Sequence, residues 1–384
     1  MFFFMKQLVY VMLSGGVDSS VATLLLQQSG LYNLKCVFMK CWSLEKLQEK
    51  GFDKSIYACN WEEDLIDAQM IAKKLGLPFE VWNFEDQYAD QVIDYMIEEY
   101  NKGRTPNPDV MCNSVVKFGV FYNRAMLEGA DNVATGHYAR IVEVDNCRYI
   151  GQAKDYIKDQ SYFLWKIPIE RIQKTLFPIG EIVNKNQVRL IAKQNNLLTA
   201  DKKDSQGLCF VGKSSLQEML KQKIGVRVGE IITRDLEKAS GAIKITKAQK
   251  EEFVNKGYLT IGYHQGYYLY TIGQRDNLGL SGGPWLVKSL KIEENKVEVI
   301  HGSNIKDNQT DNFVIDNLNI FAILEEEKIY TCITRYNQQL MLCKITLLEG
   351  SIRIVLINQK STIASGQSCV IYDEDILIAG GVIV

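Results

Sequence analysis

The sequence lacks the features of a membrane protein and of a secreted protein. It has no apolar run long enough to span a bilayer, and its opening "MFFFM" is broken by Lys6 and shows no cleavage-site pattern. Its nine cysteines include no CxxC pair, form no dense framework and are odd in number. This cysteine usage indicates a reducing compartment. We therefore expect a cytoplasmic protein with no membrane partner.

The sequence also has little net charge. A formal charge of −2 and a pI near 6.1 argue against bulk electrostatic attraction to nucleic acid, so only a local basic surface could supply it. Residues 201–250 contain 11 Lys or Arg against 6 Asp or Glu. Such an excess predicts a phosphate-binding surface. Considered alone, a solvated charge-rich surface is the alternative interpretation.

Internal repeats and low-complexity tracts are absent, and 384 residues exceed what one hydrophobic core usually organises, so two or three domains are expected. From residue 7 to about 135, strand patterns such as "QLVYVML", "LKCVFMK" and "FEVWNF" alternate with helical patterns. This alternation predicts an α/β domain with a parallel sheet wrapped by helices, and ligands at the carboxyl ends of its strands.

Helical periodicity fades after about residue 205. Short strand patterns separated by glycine turns take over, among them "VGEIITR", "YYLYTIG", "WLVKSLKI" and "KVEVIHG". From about residue 290, "YTCITRY", "LMLCKITLL", "SIRIVLI" and "SCVIYD" continue as β-structure, which is typical of a small barrel. We predict an α/β domain over 1–205, a central β-rich domain over 206–289 and a C-terminal β-barrel over 290–384.

The stretch "VMLSGGVDSS", residues 11–20, joins the first predicted strand to a predicted helix that ends at Gly30. Glycines at such a junction let backbone N–H groups converge and aim a helix N-terminus at one point, and both effects favour an anion. The loop has no lysine, unlike a Walker-type loop, and is therefore poorly suited to γ-phosphoryl transfer. An ordinary strand-to-helix turn with a capping Asp or Ser is the alternative.

A second informative stretch is "GRTPNPDVMCNSVVKFG". Its prolines predict an extended segment that leads to Cys112, just ahead of a helix expected from about Asn113 to Leu127. A thiolate is favoured at a helix N-terminus, so Cys112 is a candidate nucleophile. Asp109, three residues earlier, could exchange a proton with a bound substrate. Alternatively, Cys112 is a small buried hydrophobic residue.

Cys209 lies in "KKDSQGLCFVG", where the α/β pattern changes to the β-rich one. A second cysteine able to approach Cys112 could form or resolve a disulfide, which sulfur transfer through a persulfide requires. Two alternatives stay open: Cys209 packs beside Phe210, or it joins Asp109 and Cys112 in holding an iron–sulfur cluster. The other cysteines are assigned to packing.

Together these motifs resemble one known family. The resemblance runs from about residue 7 to the C-terminus through "SGGVDSS", "FMK", "GRTPNPDVMCN", "KFG", "ATGHYAR", "KDQSYFL", "DSQGLCF", "YTIGQR", "RYNQ" and "SGQSCVIYD". The chain is similar to the tRNA-specific 2-thiouridylases of the N-type ATP pyrophosphatase superfamily, which replace the 2-oxygen of the wobble uridine of certain tRNAs by sulfur. It departs from their pattern at Cys41, near Val116 and at Tyr263, whereas the loop and both cysteines are intact.

The resemblance implies three sets of site residues. Cys112 would be the nucleophile, Cys209 the persulfide carrier, and Asp109 the third catalytic residue. The ATP-binding set would be Met12, Leu13, Ser14, Gly15, Gly16, Val17, Asp18, Ser19, Met39 and Gly136, with Asp18 helping to hold Mg²⁺. The tRNA-binding set would be Asn107, Pro108, Asp109, His137, Lys158, Asp159, Gln160, Arg335, Tyr336 and Gln367. Without the resemblance, the His, Lys, Asp and Arg of that last set would be assigned to packing or to a solvated surface.

The resemblance also implies the chemistry and the partners. ATP would adenylate the uracil 2-oxygen and release pyrophosphate, and a persulfide sulfur would then replace that oxygen and release AMP. A sulfur-relay or cysteine-desulfurase protein would supply the sulfur to the enzyme, and tRNA would be the substrate. Two competing functions are an AMP-forming ligase or amidase for a small metabolite, which needs no cysteine pair, and a non-enzymatic RNA-binding module, which leaves the loop and Cys112 unexplained.

Overall fold

A computed structural model describes residues 6–53, 61–203, 215–242 and 245–384. The predicted persulfide carrier, Cys209, lies outside these residues, as does Cys59. Within the described ranges, no helix combines the length and the apolar character that crossing a bilayer requires.

A parallel sheet forms the centre of the N-terminal region. Five strands are hydrogen-bonded in the order β3-β2-β1-β4-β7, and every pairing is parallel. The central strand β1 buries Val9 and Val11 completely, as expected for a strand covered on both faces. This confirms the predicted α/β architecture. The strands of this region are β1 Gln7–Met12, β2 Tyr32–Lys40, β3 Phe79–Asn83, β4 Asn132–Ala134, β5 Arg140–Val144, β6 Cys147–Gly151 and β7 Thr175–Leu176.

Helices pack on both sides of this sheet. The first, Val17–Ser29, ends at Gly30, whose φ of 67° provides the left-handed cap that the sequence predicted. It buries Val21 and Leu24 against neighbouring helices of the same hydrophobic core. The helical segments of this region are Val17–Ser29, Leu44–Glu49, Trp61–Leu75, Glu85–Tyr88, Asp94–Asn101, Pro108–Met111, Tyr122–Leu127, Ile169–Ile172 and Lys185–Gln194, with π-helical Ala89–Ile93 and Cys112–Phe121 and a 3₁₀ turn at Ser161–Leu164.

The helix that carries Cys112 begins earlier than predicted. Residues 108–127 are helical without a break, because Pro108 occupies the first turn and the Asn107 side chain accepts a hydrogen bond from the Val110 N–H group. The prediction that Cys112 stands ahead of the helix is therefore wrong. Cys112 lies in the second turn, and the dipole argument for its reactivity does not apply, since that effect falls off within the first turn.

The central region has a β-sheet, as predicted, together with helices that the sequence did not predict. Its four strands are hydrogen-bonded in the order β10-β11-β8-β9, with β11 and β8 parallel. The expected strand "YYLYTIG" is wrong at its start: Tyr267–Leu269 is a 3₁₀ turn that buries Tyr267 and Tyr268, whose hydroxyls donate to backbone carbonyls. The elements are β8 Gly229–Thr233, β9 Leu259–His264, β10 Trp285–Lys291 and β11 Lys296–His301, helices Ser215–Ile224, Leu236–Ala242 and Lys247–Lys256, and 3₁₀ turns Tyr267–Leu269 and Gly302–Asn308.

The C-terminal region is a closed β-barrel, as predicted. Antiparallel strands run in the order β12-β15-β14-β13-β16-β17, and a pairing between β12 and β17 closes the barrel. Strand β14 alternates buried and exposed residues, which gives the barrel its apolar interior. The strands are β12 Asn312–Ile320, β13 Tyr330–Ile333, β14 Met341–Leu348, β15 Ser351–Leu356, β16 Ser368–Asp373 and β17 Ile376–Ile383.

A hairpin from the N-terminal region joins this barrel sheet. Strands β5 and β6 pair with each other, and β6 continues the sheet beside β17 through Gly151 and Ile376. The N-terminal and C-terminal regions therefore share one sheet. The domain limits at 205 and 289 stay predictions.

Candidate active site

The glycine loop lies at the carboxyl end of β1 and is held in one conformation. Gly15 has a φ of +74°, and a Cβ there would fall 2.1 Å from the Asp64 carbonyl oxygen, so only glycine fits. The Ser19 hydroxyl accepts a hydrogen bond from the Ser14 N–H group at 3.2 Å. Gly16 caps the helix Val17–Ser29. The first N–H groups of that helix have no intrahelical acceptors, so the loop is suited to an anion.

The other predicted ATP residues surround this loop. Gly136 follows β4, and a Cβ there would lie 2.6 Å from the Ser19 backbone nitrogen. Met39 lies near the end of β2, the strand on the other side of β1. The loop is anchored in the core by three buried side chains, those of Met12, Leu13 and Val17. The structure thus brings the predicted ATP-binding residues to the carboxyl ends of three adjacent strands.

Replacing Gly136 with alanine should raise the KM for ATP roughly tenfold, because the new methyl group would push the Ser19 backbone and misplace the loop. Steady-state ATP–pyrophosphate exchange measures this change. Gly262→Ala is the control, since its Cβ would also approach within 2.6 Å, but of the flexible Leu280 side chain in the central region. An unchanged KM for ATP in Gly136→Ala would show that Gly136 does not shape the nucleotide site.

Asp18 faces the mouth of the loop and is held by two residues that the sequence did not single out. The Lys185 Nζ lies 2.8 Å from Oδ1 and 2.7 Å from Oδ2 of Asp18. The Tyr138 hydroxyl donates to Oδ1 at 2.7 Å. Asp18 could serve as a protein ligand of Mg²⁺, which is commonly bound by one or two carboxylates together with substrate phosphates. Within the described ranges, no cluster of three or more His, Cys, Asp or Glu side chains forms a metal site.

Cys112 and Asp109 lie on the same helix beside a basic side chain. Cys112 is buried, with 6% of its surface exposed. Asp109 is open to solvent on one side, but the surrounding protein desolvates its carboxyl and raises its pKa, against the opposing effect of Lys117. The π-helical segment starts at Cys112, and such irregularities are frequent at functional sites. A buried thiol and a carboxyl of raised pKa therefore stand next to each other in one helix.

His137 links this helix to the segment that follows β4 and contains Gly136. Its Nε2 lies 3.3 Å from the Lys117 Nζ, and its Nδ1 lies 2.7 Å from the Thr135 hydroxyl. Burial, followed by the positive charge of Lys117, holds the pKa of His137 well below its usual range. His137 is therefore neutral at physiological pH and can make hydrogen bonds without carrying charge.

The predicted tRNA residues 158–160 form a tight loop next to the nucleotide site. The Asp159 carboxylate accepts hydrogen bonds from the N–H groups of Ala153 and Ser161 and from the Ser161 hydroxyl. Gln160 accepts one from the Tyr138 N–H group at 3.0 Å. Asp159 thus fixes the conformation of the loop. Lys158 is the basic residue among the three predicted tRNA residues of this loop.

The C-terminal barrel contributes two of the predicted tRNA residues, Gln367 and Arg335, which contact backbone carbonyls of other regions. The Gln367 amide donates to the Thr105 carbonyl at 2.8 Å, just before the Asn107 cap, and Arg335 donates to the Ile272 carbonyl at 2.6 Å. Burial lowers the pKa of Arg335.

The Tyr336 ring packs against Phe163 and lies near carboxylates of both the Cys112 helix and the loop 155–160. Its ring centroid is 4.5 Å from that of Phe163. The pKa of Tyr336 is raised by burial and then by the negative charges of Asp159, Asp109 and Asp155. The Asp109 carboxyl and the carboxyls of the loop 155–160 are therefore close enough to Tyr336 for their charges to act on it, while Cys209 lies outside the described residues.

Comparisons with known proteins agree along the whole chain. Family models described as a tRNA methyl transferase HUP domain, a tRNA methyl transferase PRC-barrel domain and an aminomethyltransferase beta-barrel domain match residues 7–213, 217–301 and 310–383. A protein of Methylobacillus flagellatus named tRNA-specific 2-thiouridylase MnmA is 37% identical over 99% of both chains. One of the same name from Neisseria meningitidis is 36% identical over 98% of this chain and 95% of its own.

Solved structures with similar folds are more distant. The U34-tRNA thiolase NcsA from Methanococcus maripaludis, solved with its [4Fe-4S] cluster, is 18% identical over 57% of this chain and 68% of its own, with a TM-score of 0.35. A predicted subunit of tRNA methyltransferase from Methanocaldococcus jannaschii is 18% identical over 49% of this chain and 76% of its own, with a TM-score of 0.30.

Proposed function

Since the chain belongs to the tRNA-specific 2-thiouridylase family, we propose that it replaces the 2-oxygen of the wobble uridine of tRNA by sulfur and consumes ATP in doing so. The observation that carries this proposal is the relationship to a thiouridylase over 99% of this chain. The glycine loop at the end of β1 and the helix that carries Asp109 and Cys112 support the proposal. None of the comparisons favours an AMP-forming ligase for a small metabolite.

ATP is needed because the 2-oxygen of uracil is a poor leaving group. Transfer of AMP to that oxygen breaks the bond between the α and β phosphates and makes the oxygen part of a good leaving group. The loop 13–19 and the N-terminus of the helix Val17–Ser29 hold the departing pyrophosphate. Asp18 contributes a carboxylate for Mg²⁺, which neutralises phosphate charge when bound.

Sulfur transfer then uses the two predicted cysteines. The terminal sulfur of a persulfide on Cys209 attacks carbon 2 of the adenylated base. The Cys112 thiolate attacks the Cys209 sulfur, so the bond between the two persulfide sulfurs breaks and a Cys112–Cys209 disulfide forms. The sulfur left on carbon 2 expels AMP and becomes the thiocarbonyl. An external thiol reductant restores both cysteines.

The enzyme needs a sulfur donor and access to the wobble base. A sulfur-relay or cysteine-desulfurase protein loads the persulfide, and the reducing cytoplasm keeps both thiols available. The wobble base must leave the anticodon stack to reach Asp109 and Cys112, as is usual for enzymes that modify bases in single-stranded loops. The competing arrangement, an iron–sulfur cluster on Asp109, Cys112 and Cys209, predicts bound iron and visible absorbance after anaerobic purification.

Thiolation of tRNA by the purified protein tests the function. With ATP, Mg²⁺, a persulfide source and a tRNA that has uridine at the wobble position, we expect 2-thiouridine in nucleoside mass spectrometry and tRNA-dependent ATP–pyrophosphate exchange. The control is the same tRNA with cytidine at that position. Exchange that responds to a small metabolite without tRNA would indicate a ligase, and no consumption of ATP would indicate a binding module.

A further inference from the structure

The glycine loop needs a source of positive charge that it does not itself contain. Its residues 13–19 include no lysine or arginine, although pyrophosphate is one of the most highly charged leaving groups in biochemistry. The helix N-terminus supplies only about half an elementary charge. Beyond the Mg²⁺ that Asp18 could hold, a full positive charge from the protein would have to come from another part of the chain.

Lys185 places an ammonium group at the mouth of this loop. Its Nζ contacts both carboxylate oxygens of Asp18, the second residue of the helix Val17–Ser29, at 2.7 and 2.8 Å. Only 12% of the Lys185 side chain is exposed, against 30% for Asp18. The same ammonium lies 5.5 Å from the ring centroid of Tyr138. The charge is thus partly withdrawn from water and directed at the anion-binding end of the helix.

The backbone of Lys185 is fixed from the opposite side. Lys185 is the first residue of the helix Lys185–Gln194, which Asn184 caps. The buried Asp155 carboxylate accepts a hydrogen bond from the Lys185 N–H group at 2.8 Å and others from the N–H groups of Ile157 and Lys158. Asp155 is therefore a positioning residue, and the flexible part of Lys185 is its four-carbon side chain.

A second lysine near the loop, Lys202, is a weaker candidate for supplying positive charge to a bound phosphate. The Lys202 Nζ donates to the Gly15 carbonyl, but it also pairs with Asp64 at 2.7 Å and with Asp67 at 2.5 Å. Two carboxylates already balance that ammonium. Lys185 pairs with Asp18, which is also the candidate ligand of Mg²⁺.

We propose that Lys185 is the cation that binds the phosphate oxygens of ATP and of the released pyrophosphate, and that Asp18 holds its ammonium in place in the unliganded protein. When nucleotide enters, the ammonium leaves Asp18 and pairs with phosphate oxygens, and the Asp18 carboxylate would then be available to hold Mg²⁺. The Lys185 ammonium then opposes the negative charge of the phosphates. This inference rests on the proposed use of ATP and names the residue that completes the phosphate site.

Direct binding of nucleotide and of pyrophosphate tests the inference without turnover. Lys185→Met should weaken binding of Mg-ATP and of magnesium pyrophosphate, measured by titration calorimetry without tRNA, roughly 10- to 100-fold, the range for losing a hydrogen bond to a charged group. Lys185→Arg should recover most of that loss, because it restores the charge. Lys193→Met is the matched control on the same helix, since Lys193 pairs with Asp201 at the surface.

Wild-type affinity for pyrophosphate in Lys185→Met would overturn the inference and leave Lys185 as a structural partner of Asp18. Lys185→Gln, whose amide can still bond to Asp18, serves if the methionine variant fails to fold, and it should lose pyrophosphate affinity in the same way. Failure of the proposed function is separate: it would appear as wild-type protein that binds pyrophosphate through Lys185 and yet forms no 2-thiouridine.

Discussion

Replacing Cys112 with serine should reduce the formation of 2-thiouridine below detection, while tRNA-dependent ATP–pyrophosphate exchange continues. A serine hydroxyl cannot attack a persulfide to form a disulfide, so the step that releases sulfur to the base is lost. Adenylation precedes that step and uses the loop at the end of β1. Because serine is close to cysteine in size, the fold should be retained even though Cys112 is buried. Nucleoside mass spectrometry and the exchange assay measure the two activities.

Cys147→Ser is the matched control for this experiment. Cys147 is an exposed thiol in the β5–β6 hairpin, and its loss should leave both activities at the wild-type level. Cys209→Ser should behave like Cys112→Ser, as the family resemblance implies. Thiolation that persists in Cys112→Ser would remove Cys112 from the mechanism, even though it lies beside Asp109.

The sequence predicted those parts of the fold whose patterns are local. The parallel sheet follows from the alternation of strand and helix patterns, and the barrel follows from strands such as β14, whose residues alternate between buried and exposed. The helix Lys247–Lys256 escaped prediction because it buries no residue and so has no apolar face to detect. The joining of β6 to β17 is a contact between distant segments, which no local pattern encodes.

In the candidate site too, the sequence located the contiguous motifs but not the contacts between distant segments. The glycine loop and the Asp109–Cys112 stretch are contiguous motifs, so the sequence located them. Lys185 reaches Asp18 across 167 positions, and Gln367 reaches the Thr105 carbonyl across 262. Such pairs form only when the whole chain is folded, and neither member carries a local signal for the other. The roles of the predicted ATP and tRNA residues remain proposals that the variants described above can test.

Asp109→Asn should lower kcat/KM for tRNA thiolation roughly 10²- to 10⁴-fold, the usual contribution of a positioned acid or base. Desolvation by the surrounding protein raises the pKa of the Asp109 carboxyl above the ordinary value of 3.8, which prepares it to accept a proton from the substrate. If the ionised form is active, wild-type activity should fall as the pH drops through that raised pKa. Asp109→Asn should lack this acidic limb of the kcat/KM profile.

Stability distinguishes this catalytic role from a structural one. Because the pKa of Asp109 is higher in the folded protein than in the unfolded chain, the folded protein binds more protons between the two values, and stability falls as the pH rises through them. At neutral pH the partly desolvated charge of Asp109 therefore lowers the stability, and Asp109→Asn should unfold at the same temperature as wild type or at a higher one. Asp307→Asn, at an exposed aspartate in the 3₁₀ turn Gly302–Asn308, should change neither activity nor stability. A loss of activity in Asp109→Asn that accompanies a lower unfolding temperature would instead assign Asp109 to the support of the fold.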